Sequence, residues 1–375
     1  MHTDRQGTTA GHRLESLTGL RFMAALVVVG FHLVLLFPSA PYGPVAHFLG
    51  QGPTGVSFFF VISGFVLTWS RRREDGAARF YRRRLARIGP SHIVTWVVIG
   101  VLLVAASVPR ALGPVGGSLF LLQPWIPSSH YWNAMNVPSW SLGCEVFFYA
   151  LFPFLAAGLF RLGSRSRRAL LVGGVLAVLV IAAVTAPASY GTTGYWLLYF
   201  FPPTRLIEFV IGMLLALEVT GGSWPRIGLG PALAVAGAAY AAAGWAPTSY
   251  RVVAVTLVPF IMLIGAAAQR DLSGRPSLWN SPVMVRLGMW SFALYLAHFP
   301  VMVALALVEG PVHLGLAGGL ANAALVLVLC LGAAAVLYRL VERPAERAFR
   351  PAEARPVSLR VATLPTERPR ARSRA

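Results

Sequence analysis

The stretch LRFMAALVVVGFHLVLLF, Leu20 to Phe37, decides the fold class, because it is apolar and long enough to cross a bilayer as one helix. It nevertheless contains Arg21 near its start and His32 deep within it. Helical geometry puts these two side chains on one face, about 16 Å apart along the axis. Ionisable groups at membrane depth usually mark a functional pathway. Snorkelling of Arg21 to the interface and a helix–helix hydrogen bond from His32 are the structural alternatives.

The composition of the whole chain agrees with this stretch. Hydrophobic residues make up 56% of the 375 residues, charged residues only 12%, and the mean hydropathy is +0.66. Soluble proteins average about 25% charged residues. The net charge of +19 would suggest nucleic-acid binding in a soluble protein, but here the basic residues lie in short segments between apolar runs, as membrane topogenesis requires. We therefore predict an all-α, polytopic membrane helix bundle whose partners include the lipid bilayer and no nucleic acid.

Ten apolar stretches have the length of a membrane-crossing helix. They lie at about 18–37, 53–70, 91–109, 139–160, 169–187, 204–220, 228–245, 251–268, 285–307 and 315–339. Arginines follow the second, fourth, sixth and eighth spans, whereas the loops after the first, fifth and ninth contain none and the loop after the third contains only Arg110. This alternation predicts a multi-pass membrane protein with both termini in the cytoplasm.

The spans also define the predicted domain organisation. Residues 1–16 form a cytoplasmic N-terminal segment, 17–345 a single membrane domain, and 346–375 a disordered basic cytoplasmic tail that is rich in Arg and Pro. Cys144 and Cys330 both lie in apolar segments, and their spacing indicates neither a disulfide framework nor a metal site.

The fourth and sixth predicted spans carry ionisable side chains. Ser141 and Glu145 are four residues apart and share a helix face, and a carboxylate at this depth needs a partner. Ser141 has the alternative role of a helix cap. In the sixth span, Arg205 and Glu208 are three residues apart, which favours an ion pair with each other.

The ninth predicted span contains a third polar pair. Tyr295 and His298 are three residues apart and share a face, and the predicted topology puts His298 near the outer end of the helix. The structural alternative is a histidine at the interface beside Pro300. We interpret the pair as candidate site residues on the outer side.

Several sequence motifs occur in the order typical of a known family. They are Arg21 and His32 as R-x10-H in the first span, then GVSFFFVISG, FYRRRLARIGP, WSLGCEVFFYALFP and YLAH. Over residues 14 to about 345 the chain resembles the bacterial membrane acyltransferase family 3, which comprises integral-membrane O-acyltransferases of cell-surface sugars, peptidoglycan, lipids and natural products, macrolides included. Three departures are Ser57, where relatives often have an acidic residue, Gly143, where serine is common, and Ser91–His92 after Pro90.

This resemblance implies an enzyme that transfers an acyl group from acyl-CoA, its co-substrate, to a hydroxyl of the acceptor. It implies no permanently bound cofactor and no metal. Residues matching Arg84 and Arg87 form the recurring arginine pair of the family, and guanidinium groups recognise phosphate well. We therefore expect these two arginines to bind acyl-CoA.

The same resemblance suggests roles for the remaining polar residues. We expect His32 to be the general base, with direct acylation of His32 left open. Arg21 would hold the CoA end or polarise the thioester. Glu145 would orient His32 or bind the acceptor. Ser141, Tyr295 and His298 are expected on the acceptor side.

The acceptor and one alternative function class remain open at this point. A sugar-containing acceptor is expected, either a macrolide-type natural product or a cell-envelope glycan. Because the sequence shows no extracytoplasmic domain, a small natural product is slightly favoured. The alternative is a transporter or flippase that uses the same polar residues to move an acyl donor or an acylated product.

Overall fold

The computed structural model describes residues 13–37, 44–71, 76–309 and 315–349, and over these the chain is helical and contains no strand. Nine helical segments in this part of the chain are long and apolar enough to cross a membrane, and a shorter apolar helix accompanies them. These observations confirm the predicted all-α membrane bundle. The ten main helices, α1 to α10, are Glu15–Leu36, Thr54–Trp69, Ala77–Ala105, Trp140–Leu159, Ser164–Val184, Pro202–Thr220, Leu229–Ala243, Val255–Leu272, Pro282–Glu309 and Leu316–Leu337.

Two helices differ in length from the predicted spans. The seventh, α7, has only 15 residues and so spans about 22 Å, which makes it the short member of the bundle. The third, α3, begins at Ala77 and not near residue 91, because the arginine-rich segment continues the helix and Pro90 is accommodated within it. The arginines from Arg79 to Arg87 therefore have fixed positions on α3.

The ends of the chain depart from the predicted boundaries. The first helix begins at Glu15, and the chain continues beyond α10 through a π-helical segment into a short helix, α11, Arg343–Ala348. The predicted domain boundary at 345 therefore falls inside α11. Residues 1–12 of the predicted N-terminal segment and 350–375 of the predicted tail lie outside the described residues.

The helix ends that carry arginine meet at one end of the bundle. The start of α1 contacts the end of α8, where Ser16 Oγ donates to Asp271 Oδ1 at 2.5 Å. The start of α5 contacts the end of α6 through an Arg168–Glu218 ion pair of 2.9 Å. We call this the arginine-rich end; it agrees with the alternation of arginines along the sequence.

Helices α2 and α6 touch through their backbones. A Cβ on Gly64 would collide with the carbonyl oxygen of Phe209, and a Cβ on Gly212 would collide with that of Val61. Small residues allow this approach, which is how membrane helices gain van der Waals contact without a hydrophobic driving force. The reciprocal glycines therefore fix α2 against α6.

A buried ion pair lies between the same two helices. Arg205 Nη2 is 3.0 Å from Glu208 Oε2, and both side chains are 1% exposed, which confirms the predicted pairing of these residues. Arg205 also donates to Ser57 Oγ at 3.1 Å, so Ser57 is a partner of this arginine. Cys144 and Cys330 are both buried and free.

Candidate active site

A cavity of about 310 Å³ opens at the arginine-rich end between α1, α2, α3, α4 and α9. Arg21, Arg84, Arg87 and Glu145 all line it, so four of the predicted site residues come together there. They arrive from three helices: Arg21 from α1, the two other arginines from α3 and the carboxylate from α4. The cavity thus brings these three guanidinium groups and this carboxylate together, among further charged side chains.

The two arginines of α3 have different partners. Arg87 forms ion pairs through Nη1 with Glu342, whose side chain is fully buried, and with Glu346 at 2.6 Å. Arg84 has no carboxylate partner in the described part of the chain; its guanidinium lies over the rings of Phe80, at 5.8 Å, and Tyr149, at 5.9 Å. Arg84 is therefore the arginine of this pair whose charge remains available to an anionic ligand.

Glu145 is held by a neighbour one helical turn away. Tyr149 Oη donates to Glu145 Oε2 at 2.8 Å, and both side chains line the cavity. The expectation that Glu145 orients His32 is not supported by the contacts of either residue, since the ring of His32 bonds elsewhere. Glu145 and Arg21 both line the cavity, and both also line a second, smaller space.

That second space is an inner pocket of about 40 Å³. It adjoins the cavity, since Arg21, Glu145, Phe59 and Phe292 line both. Ser141 and Tyr295 also line the inner pocket.

The inner pocket meets a hydrogen-bonded pair of hydroxyls, contributed by Ser141 and Tyr295. Their oxygens are 2.8 Å apart, and both lie within hydrogen-bond distance of the Pro138 carbonyl oxygen, at 3.1 and 3.0 Å. Ser141 and Tyr295, both predicted as site residues, are therefore in direct contact.

His32 and His298 form a buried pair one helical turn beyond Tyr295. The Nδ1 atom of His32 is 3.2 Å from Nε2 of His298, and the two rings are 7% and 0% exposed as residues. The rings of Tyr295 and His298 are 6.2 Å apart. Neither histidine lines the cavity or the inner pocket. The predicted residues thus form two groups, a charged one at the cavity and a neutral one at the histidines, with Ser141 and Tyr295 between them.

Several further residues of this site were not among the predicted ones. Tyr149 follows Glu145 by four residues, so the helical spacing that selected Ser141 also selects Tyr149. Glu342 and Glu346 are four residues apart and contact the arginine-rich helix, yet the second fell in the predicted tail. Opposite charge at the same end of the bundle is the signal that would have found them.

Two departures from the family motifs have structural explanations. A Cβ on Gly143 would contact the Leu121 carbonyl oxygen and the Pro124 ring, so the serine common in relatives has no room here. His92 is buried and its Nε2 bonds to the Leu119 carbonyl oxygen at 3.2 Å, which makes it a structural contact between α3 and the short helix Leu112–Leu119.

No group of three or more potential metal ligands occurs among the described residues. The side chains of the site themselves offer two kinds of chemistry. Cations at the mouth can bind an anionic substrate, and a buried imidazole beyond them can accept a proton.

A membrane-embedded helix bundle with a charged cavity leading towards buried hydroxyls and imidazoles has the features of an enzyme acting at the bilayer. The family model described as "Acyltransferase domain" matches residues 14–339, so the chain belongs to the membrane acyltransferase family 3 whose motifs it resembles, and it is an acyltransferase.

Relatives agree with this family. Acyltransferase MdmB of Streptomyces mycarofaciens is 37% identical over 309 residues, covering 77% of this chain and 79% of the relative. The exopolysaccharide production protein ExoZ of Rhizobium meliloti is 30% identical over 80% of this chain and 90% of its own length. The putative peptidoglycan O-acetyltransferase YrhL of Bacillus subtilis is 28% identical over 79% of this chain, which spans half of that protein. No solved structure matches the chain.

Proposed function

We propose that this acyltransferase transfers an acyl group from acyl-CoA to a hydroxyl of a sugar-containing acceptor, a macrolide-type natural product or a cell-envelope glycan. The names of two relatives, an exopolysaccharide production protein and a putative peptidoglycan O-acetyltransferase, support an acceptor with sugar hydroxyls. The mean hydropathy and the nine long apolar segments support a place in the bacterial plasma membrane.

The observation that carries this proposal is the cavity at the arginine-rich end. The positive-inside rule assigns that end to the cytoplasm, where acyl-CoA is made. Acyl-CoA is anionic through its phosphates, and Arg84 offers an uncommitted guanidinium at the cavity wall. The donor would therefore enter from the cytoplasm with its phosphates at Arg84.

Arg21 and His32 have separate roles in this proposal. Because they are about 16 Å apart along α1, one thioester carbonyl cannot contact both. We assign Arg21, beside Glu145, to the CoA moiety within the cavity, and His32 to the acyl end. Arg87 contributes positive charge at the mouth, balanced by its two glutamates.

The chemical step uses His32 as general base. Its imidazole takes the proton of the acceptor hydroxyl, whose oxygen attacks the thioester carbonyl carbon. The tetrahedral intermediate then collapses with cleavage of the C–S bond, and the proton passes from His32 to the CoA sulfur. The hydroxyls of Ser141 and Tyr295, between cavity and histidines, would bind the acceptor.

The test is His32→Ala in purified protein reconstituted in lipid nanodiscs with radiolabelled acetyl-CoA and a panel of macrolide and glycan acceptors. We expect ester formation to fall by about 10²–10⁴-fold, the usual contribution of a general base. The matched control is His92→Ala, because His92 is also a buried histidine bonded to a main-chain carbonyl. Product formation at the wild-type rate by the His32 variant would refute the assignment.

The acceptor is identified by a separate experiment. Mass spectrometry of metabolites and surface glycans from the host with and without the gene would reveal which hydroxyl loses its acyl group. The mass difference gives the length of the acyl chain. Absence of any acyl-group difference would contradict the proposed reaction.

A further inference from the structure

We infer that His298 is a positioning residue: its Nε2 accepts a hydrogen bond from Nδ1 of His32 and so leaves Nε2 of His32 unprotonated for the reacting hydroxyl. The inference rests on the proposed role of His32 as general base. It replaces the expectation that His298 contacts the acceptor directly.

The protonation of His298 follows from its main-chain neighbour. Its Nδ1 lies 3.0 Å from the carbonyl oxygen of Leu294, one helical turn earlier. A carbonyl oxygen only accepts hydrogen bonds, so Nδ1 carries the proton. In a neutral imidazole the other nitrogen is then an acceptor. The Nε2 atom of His298 therefore presents a lone pair to His32.

The protonation of His32 follows in turn. Its Nδ1 lies 3.0 Å from the Val28 carbonyl oxygen and 3.2 Å from His298 Nε2, and both of these are acceptors. If Nδ1 of His32 were unprotonated, its lone pair would be repelled by the lone pairs of both acceptors. The proton is therefore on Nδ1, and Nε2 of His32 is the basic nitrogen. No described residue bonds to that Nε2, and His32 keeps 7% of its surface exposed.

Of the two acceptors, His298 is the one supplied from outside the helix. The Val28 carbonyl lies four residues before His32 within α1, where it also accepts the main-chain N–H of His32. His298 comes from α9 and has no exposed surface, so its ring is held in place by packing. Without the Nε2 acceptor of His298, the Nδ1–H of His32 would have only the Val28 carbonyl oxygen as a partner among the described residues. That oxygen already accepts a main-chain N–H.

The pair also explains how a proton can be accepted in a dry environment. When Nε2 of His32 takes the hydroxyl proton, the ring becomes a cation and its Nδ1–H bond to His298 strengthens. Among the described residues, neither ring forms a hydrogen bond or ion pair with a carboxylate. His298 is therefore the group that stabilises the charged base, as the third member of a catalytic triad does.

The test compares two substitutions at this position in nanodisc-reconstituted protein. His298→Leu removes the acceptor and is expected to lower kcat by about 10- to 100-fold, by analogy with the partners that orient metal-binding histidines, with KM for acetyl-CoA unchanged. His298→Gln retains an amide oxygen near the position of Nε2 and is expected to keep most of the activity. The control His92→Leu removes a buried histidine elsewhere and should leave kcat unchanged.

A spectroscopic readout separates positioning from a purely structural role. In protein labelled with ¹⁵N-histidine, with His32→Ala used to assign the signal, we expect the His32 Nε2 resonance of unprotonated imidazole. In His298→Leu we expect a mixture of both tautomers. Because the first measurement uses the unaltered chain, the inference stays testable if the leucine variant does not fold.

The outcomes distinguish this inference from the proposed function. Wild-type kcat in His298→Leu, together with inactivity of His32→Ala, overturns the inference alone. A protonated Nε2 of His32 in the unaltered protein, or a glutamine variant as inactive as the leucine variant, also overturns it. Full activity of His32→Ala removes the proposed base and with it the basis for assigning His298.

Discussion

Because Arg84 and Arg87 have different surroundings, we predict different effects for their substitution: weaker donor binding for Arg84 and lower protein stability for Arg87. Among the described residues, the guanidinium of Arg84 lies against aromatic rings and forms no ion pair with a carboxylate, so Arg84→Ala removes a ligand contact and leaves no described carboxylate without a partner. A hydrogen bond to a charged group is worth about 1.5–3 kcal/mol, and the lower value applies because the cavity is open to solvent. We therefore expect the Kd for acyl-CoA to rise about tenfold.

Arg87→Ala should instead destabilise the protein. It leaves Glu342, whose side chain is fully buried, without its cation, and a broken buried ion pair costs about 3–5 kcal/mol. Glu346 is 31% exposed and contributes less. We expect this variant to be depleted from membranes and to unfold at lower temperature in detergent.

The assay is acetyl-CoA binding by isothermal titration calorimetry, with thermal unfolding measured on the same samples. Arg110→Ala is the matched control, because Arg110 is an exposed arginine beyond the far end of α3. Arg87→Met combined with Glu342→Gln restores charge balance and should recover stability. If that double variant is stable but binds no donor, while Arg84→Ala binds as tightly as the wild type, the assignment of the two arginines is reversed.

Two further predictions concern the packing of α2 against α6. Arg205→Met should destabilise the bundle by about 3–5 kcal/mol because it strands the buried Glu208, whereas Arg205→Met with Glu208→Leu should recover most of the loss; equal thermal stability of the two variants would contradict this account. Gly212→Ala places a Cβ against the Val61 carbonyl oxygen, so we expect a cost of about 1–3 kcal/mol from overpacking, measured as a lower unfolding temperature than that of Gly230→Ala, where the Cβ meets open space.

The sequence predicted the bundle and the inward-facing residues because both depend on local periodicity. Apolar length marks a span, and the 3.6-residue repeat tells which side chains share a face. These rules selected Arg21, Glu145 and Tyr295, all of which line the inner pocket. They could not show that the arginine-rich segment is itself helical, because hydropathy detects only the apolar part of α3.

The partners of these residues depend on contacts between distant parts of the chain. The local sequence pattern does not distinguish Arg84 from Arg87. In the structure they differ because Arg87 pairs with the carboxylates of Glu342 and Glu346, some 255 residues away in the sequence. The partner of His32 could not be predicted for the same reason: it is His298 and not Glu145 of α4. Periodicity gives the face of a helix, but the neighbour across that face follows from the packing of ten helices.

The glycine contact between α2 and α6 has a mechanical consequence for substrate entry. Helix α2 supplies Phe59 and Ser63 to the cavity wall, and the same helix abuts α6 main chain to main chain. With no side chain between them to change rotamer, these two helices cannot slide past each other without a collision of carbonyl groups. Helix α2 is therefore a fixed wall of the cavity, and we expect any widening that admits a bulky nucleotide to involve other lining elements, α9 and the segment bearing Glu346.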